Sequence, residues 1–180
     1  SEEVINDRVR DILRVKFLVG LFDTPYQTDL KGADEEVEKK ENEEVALQAS
    51  RESIVLLKNE NNVLPLDPSK IRKIAVCGPN ADEHSYALTH YGPLAVEVTS
   101  VLKGIQEKMK GKAEVLYTKG CDLVDANWPE SELIDYPLTD EEQKEIEKAV
   151  DQTKQADVAV VVLGGGQRTC GENKSRSSLD

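Results

Sequence analysis

The run Val158-Ala159-Val160-Val161-Val162-Leu163 constrains this chain more than any other segment. Six consecutive apolar residues, mostly β-branched, favour a strand that is apolar on both faces. Such a strand must be covered on both sides, and a parallel sheet flanked by helices provides that cover. Gly164-Gly165-Gly166 follows at once and ends the run in a turn.

The preceding hundred residues fit the same scheme. Lys73-Ile74-Ala75-Val76-Cys77-Gly78 reads as a short buried strand stopped by Gly78-Pro79-Asn80. Thr99 or Ser100 caps a helix carrying Val101, Leu102, Ile105 and Met109, which Gly111 stops. Ala113 to Tyr117 is a second strand. Thr139-Asp140-Glu141-Glu142 has the spacing of a capping box and opens a helix with Ile146 and Val150 on one face. The expected fold is therefore α/β: a partial doubly wound, mostly parallel sheet flanked by helices, preceded by an isolated N-terminal helix and a linker.

Ile5, Val9, Ile12 and Leu13, extended by Phe17 and Leu18, form the stripe of that N-terminal helix, and Gly20 is its stop. The tract Asp34-Glu35-Glu36-Val37-Glu38-Lys39-Lys40-Glu41 is too charged for a core and reads as a solvated linker. A second helix is expected from Glu43 to about Lys58, including the apolar run Ile54-Val55-Leu56-Leu57; Pro65 then holds Leu64 extended.

Composition excludes several classes. The 180 residues hold 35 acidic and 23 basic side chains, a net charge of −12, which argues against a nucleic-acid surface. No apolar run reaches the roughly 18–20 residues of a membrane helix. Cys77, Cys121 and Cys170 form no CxxC pair and match no zinc module, and His84 and His90 lie six apart without a ligand cluster. No metal and no cofactor is expected.

In an open parallel sheet, ligands bind beyond the carboxyl ends of the strands, so the loop from Gly164 to Arg176 lies on the functional rim. Gly166 and Gly171 have P-loop spacing, but Glu172 and Asn173 stand where Lys and Ser or Thr are required. The dinucleotide fingerprint fails at Thr169. A carboxylate aimed at phosphates repels them. Glu172 itself has two readings: a general acid if burial raises its pKa, or an ion-pair partner of Arg176.

Three segments together carry a resemblance: Arg51-Glu52-Ser53-Ile54-Val55-Leu56-Leu57-Lys58-Asn59, Leu64-Pro65-Leu66, and Ile74 through Asp82. With Gly120-Cys121-Asp122 and Gly171-Glu172…Ser175-Arg176…Leu179, they closely resemble family 3 β-glycoside hydrolases, in that family's order from about Val4 to Asp180. The resemblance implies a (β/α)8-type barrel supplying an Asp nucleophile, followed by an α/β sandwich supplying the acid/base Glu from a rim loop. It implies that Glu172 is that acid/base and that Gln167, Arg168 and Arg176 are candidate substrate contacts. Residues 1–20 then match the barrel's last helix, 21–42 the interdomain linker, and 43–180 the first part of the sandwich.

Retaining hydrolysis needs two carboxyls about 5–5.5 Å apart, and the resemblance places only one here. The chain is expected to be part of a retaining, exo-acting β-glucosidase or β-xylosidase and inactive alone. Its expected partners are a β-linked glycoside, the missing barrel and, through the N-terminal stripe, a second copy. No nucleic acid or membrane partner is expected; the family points to a periplasmic or extracellular setting. Two other readings are a flavodoxin-like binding or regulatory module using Asp82 and Asp122, and a noncatalytic carbohydrate binder stacking sugars on Trp128 and Tyr136. Trp128, before Pro129, reads better as a loop anchor, and the Asn173-Lys174-Ser175 sequon as accidental.

Overall fold

A computed structural model describes residues 1–25, 29–37, 39–85 and 98–174. Tyr26, His90, Ser175, Arg176 and Leu179 lie outside the described residues. The chain divides into two compact units, Ser1–Asn62 and Val63–Asp180.

The first unit is helical. Helix α1 spans Glu2–Leu18, with Glu2 and Glu3 in its first turn and Lys16 in its last, as the helix dipole favours. Gly20, at φ 70°, closes it: its amide donates to the Phe17 carbonyl and the Leu21 amide to that of Lys16. The charged tract, expected to be solvated and to lead into a helix, contributes Asp34–Val37 to a second helix, α2, Leu30–Val37, which has no buried residue. Asp29 Oδ1 accepts from the Gly32 amide at 2.9 Å, and Lys31 pairs with Glu35 one turn on. A side-chain cap and an i,i+4 ion pair are enough to wind two exposed turns onto that tract.

Helix α3, Lys40–Ser53, begins three residues before its expected start and ends five before its expected stop. Ile54 leaves it at φ −78°, ψ 119°, and the apolar run continues as exposed, non-helical chain with Leu57 92% exposed. Four apolar residues in a row give a helix no polar face, and the β-branched pair Ile54-Val55 weakens helix propensity further.

The second unit is the α/β body. Strands β1 (Lys73–Cys77), β2 (Glu114–Thr118) and β3 (Val158–Val161) form a parallel sheet in the order β2-β1-β3. Ile74 pairs with Val115 on one side and Val158 on the other; Cys77 pairs with Thr118 and Val161. Helix α4, Val101–Met109, links β1 to β2, and α5, Asp140–Lys154, links β2 to β3. Because β3 returns to the far side of β1, the two helices lie on opposite faces. Leu102 and Met109 of α4 pack on Ile74 and Val76, whereas Ile146 and Val150 of α5 face the alternate side, beside Cys77 and Val161.

Both helices start as the sequence indicates. Ser100 caps α4, its hydroxyl accepting from the Lys103 amide, and Thr139 and Glu142 form the full capping box of α5. The strand that looked most buried is not the central one. β1 holds the centre, with Val76 fully buried, while β3 lies at an edge of the described sheet with Val161 56% and Leu163 65% exposed. Apolarity shows that a strand can be buried; the crossover pattern decides which one is. Beside that edge, an apolar groove of about 430 Å³ remains open between Val161 and α5.

Candidate functional site at the carboxyl rim

The strand order reverses between β1 and β3, so the loops leaving their carboxyl ends part there and open a crevice. The loops are tied closely at its base. Gly78, at φ +113°, donates its amide to the Lys119 carbonyl at 2.9 Å, and its missing side chain leaves room for the backbone of Val162. Asn80 donates from its side chain to the Gly165 carbonyl at 3.4 Å.

The loop after β3 consists of two successive turns. In the inner one, the Gly166 carbonyl accepts from the amides of Thr169 and Cys170 at 2.9 and 2.8 Å. The buried Thr169 hydroxyl closes the turn by accepting from the Gly166 amide at 3.1 Å. Gly165 has no side chain because the Cys170 sulfur packs against that position. This turn presents Gln167 and Arg168. Gln167 donates to the Ser85 carbonyl at 3.2 Å, binding the loop to the segment after β1. Arg168 lays its guanidinium over the Trp128 ring, 5.3 Å from the centroid. The outer turn is closed by the Lys174 amide donating to the Gly171 carbonyl at 3.0 Å, and it carries Glu172, which is exposed.

Gln167 and Arg168 line a cleft of about 450 Å³ together with Asp82, Glu83, Tyr117, Lys119 and Asp122. Its charges are largely committed. Asp82 accepts from Ser100 at 2.7 Å and lies 3.4 Å from His84; Asp122 is bound by Lys119. The Asp122 hydrogen bond raises the Lys119 pKa. Burial, reinforced by the charge of Asp82, raises that of Tyr117. Glu83 is held below the usual carboxylate range by hydrogen bonds from Ser85. A cleft that presents donors and acceptors side by side suits a neutral polyhydroxyl ligand better than a phosphate.

The structure brings Gln167 and Arg168 together at this cleft and places Glu172 on the adjoining turn. Asp82 and Asp122 also meet at the cleft, and Asp122 is held by Lys119. Sequence reading missed Thr169 and the pairing of Arg168 with Trp128. A threonine three residues after a glycine is a recognisable turn signal; the stacked pair, forty residues apart, leaves none. Among the described residues, no group of three His, Cys, Asp or Glu side chains is placed to hold a metal, and no helix is long and apolar enough to cross a membrane.

The sequence model of the glycosyl hydrolase family 3 C-terminal domain matches residues 54–180. The chain belongs to that family. A β-xylosidase of Formosa agariphila is 35% identical to this family 3 chain over 98% of its length, and a periplasmic β-glucosidase of Salmonella typhimurium is 33% identical over 97%. The chain spans only 23% and 24% of those relatives' lengths. The solved structure of a β-glucosidase from Erythrobacter marinus superimposes with a TM-score of 0.71 at 33% identity, covering 92% of this chain and 23% of that one. A Listeria innocua β-glucosidase in complex with glucose gives 0.61 at 28% identity, covering 93% and 21%.

Proposed function

We propose that this family 3 segment is the acid/base-bearing part of a retaining, exo-acting β-glycoside hydrolase of the β-xylosidase or β-glucosidase type. The observation that carries the reading is the place of Glu172, on the outer turn of a rim loop adjoining the inner turn whose Gln167 and Arg168 line the cleft. Its side chain is exposed in this chain, and the cover a general acid needs would come from the barrel domain. In the first step, Glu172 protonates the departing glycosidic oxygen while an Asp of the barrel domain attacks the anomeric carbon. In the second, its carboxylate takes a proton from the water that releases the sugar. The inner turn, fixed by Thr169 and Gln167, serves as the platform, with Gln167, Arg168 and Arg176 as sugar contacts.

The same reading takes residues 1–20 as the last barrel helix, 21–42 as linker and 43–180 as the first part of the sandwich, in a periplasmic or extracellular enzyme. Alone, the chain is inactive. Positioning two carboxyls supplies most of what a glycosidase does, and a single carboxyl on a loop supplies almost none of it.

Two assays test the proposal. The 180-residue chain is incubated with an aryl β-glucoside and an aryl β-xyloside; turnover that disappears in Glu172→Gln would overturn the inactivity. In one polypeptide with the barrel domain, Glu172→Ala is expected to slow xylobiose or cellobiose hydrolysis by about 10²–10⁴-fold. Activated aryl glycosides, whose leaving groups need little protonation, should lose far less, and azide should restore part of the rate. Equal loss on both substrate types, without rescue, rules Glu172 out as the acid.

A further inference from the structure

Arg168 lines the rim cleft, yet its one partner among the interactions described above is an aromatic ring. The carboxylates that share the cleft have other donors: Asp82 has Ser100, Glu83 has the Ser85 amide, and Asp122 has Lys119. An arginine whose guanidinium lies over an indole is attracted to the ring's face, which limits its freedom to swing and leaves its N–H groups available to a ligand. A guanidinium held that way is prepared to donate two parallel hydrogen bonds to adjacent hydroxyls.

Trp128 is itself held in place from below. It is half-buried in the loop between β2 and α5. Within that loop, the Trp128 amide donates to the Asp125 carbonyl at 3.3 Å and the Asn127 amide to the Asp125 carboxylate at 2.7 Å. The Ala126 amide donates to Glu142 Oε1 at 2.9 Å, and Glu142 is the capping-box residue of α5. A continuous path therefore runs from the start of a regular helix, through one turn, to the indole and on to the guanidinium. The loop after β3 receives a support that its own glycine-rich sequence does not provide.

We propose that Trp128 is a positioning residue that fixes the Arg168 guanidinium at the lip of the cleft, where Arg168 binds hydroxyls of the leaving-group sugar. The inference rests on the acid/base reading of Glu172, because only that reading puts a leaving-group sugar beside this loop. It assigns discrimination between disaccharides and aryl glycosides to this pair: an aryl leaving group offers the guanidinium no neighbouring hydroxyls.

The test has two parts. Trp128 is the only tryptophan, so the emission of the 180-residue chain reports on the stack directly. Arg168→Met should change its intensity and raise its quenching by acrylamide; an unchanged spectrum and unchanged quenching would overturn the contact. In one polypeptide with the barrel domain, Trp128→Leu should raise KM for xylobiose or cellobiose by about 3–10-fold, the worth of one cation–π contact. kcat and the KM for an aryl glycoside should stay within about twofold. Trp128→Phe should recover most of the loss, and Trp128→Leu with Arg168→Met should be no worse than Arg168→Met alone. Additive losses, or a drop in kcat on every substrate, would show that Trp128 merely supports the fold and would overturn the proposal. Glu172→Gln separates the two readings. If it is fully active, the acid/base assignment has failed; if it is inactive while Trp128→Leu is indistinguishable from the parent, only the positioning role has.

Discussion

Gly78 sits where the backbone of Val162 closely approaches the turn after β1. Its φ of +113° is one that side chains strain to adopt, and a Cβ there would strike the Val162 carbonyl. The two penalties act together, because the backbone cannot relax without breaking the hydrogen bond from Gly78 to Lys119 or that from Val162 to Cys77. Gly78→Ala is therefore expected to cost about 2–3 kcal/mol, read as a lower urea midpoint at unchanged slope. The turn at Gly78-Pro79-Asn80 was legible in the sequence; the reason glycine is obligatory was not, since Val162 lies 84 positions away. The same holds across the site. The proposed role of Glu172 comes from the family resemblance, since its local neighbours left an ion pair with Arg176 open as well, whereas Thr169 and Trp128 act through contacts that only the folded chain creates.

At the scale of elements, local chemistry was the most legible part of the chain. Ser100 and Thr139 cap their helices as their spacing indicates, and β1, β2 and β3 each begin within a residue of their expected starts. Where the structure departs from the expectation, the end of α3 follows from the apolar, β-branched run that gives a helix no polar face, whereas the exposure of β3 follows from its edge position, which an apolar run does not encode. Two carboxylates connect these elements and make their stability depend on pH. Asp157 accepts from the amides of Arg72 at 2.8 Å and Lys73 at 3.0 Å, fastening the start of β3 to β1. Glu142 closes the α5 cap and holds Ala126. Those hydrogen bonds keep both carboxyls below their ordinary values of 3.8 and 4.5. A lowered folded pKa means that the unfolded chain binds protons first. The stabilisation is thus complete above the ordinary values and is lost as pH falls through the lower folded ones. Urea midpoints measured from pH 6 downward should hold steady and then fall beginning near pH 4.5, with Asp157→Asn giving a shallower decline. A midpoint that rises with acidification would reverse the sign and refute the argument.

At the scale of the whole molecule, the question is what the helical unit does with its surface. Ile5, Ile12 and Phe17 of α1 are 64%, 60% and 66% exposed, and no residue of α1, α2 or α3 is buried. A helix with a stripe of this kind ordinarily gains its stability by covering it, and continuous apolar surface of this extent marks an interaction site. The proposed cover in the enzyme is the barrel, with α1 proposed as its final helix. With no barrel, a second copy of the chain is the available apolar partner, and α1 can pair with itself about a two-fold axis, each stripe serving as the other's cover. The 180-residue chain is accordingly expected to show a concentration-dependent mass by light scattering, rising toward that of a dimer. Replacing Ile5 and Ile12 together by Glu places charge in the centre of the stripe and should return the mass to that of a monomer, while leaving the urea midpoint of the α/β body unchanged because neither residue belongs to its core. A parent chain that remains monomeric across the concentration range would show that the stripe can stay in water, and would remove self-association from the properties of this segment.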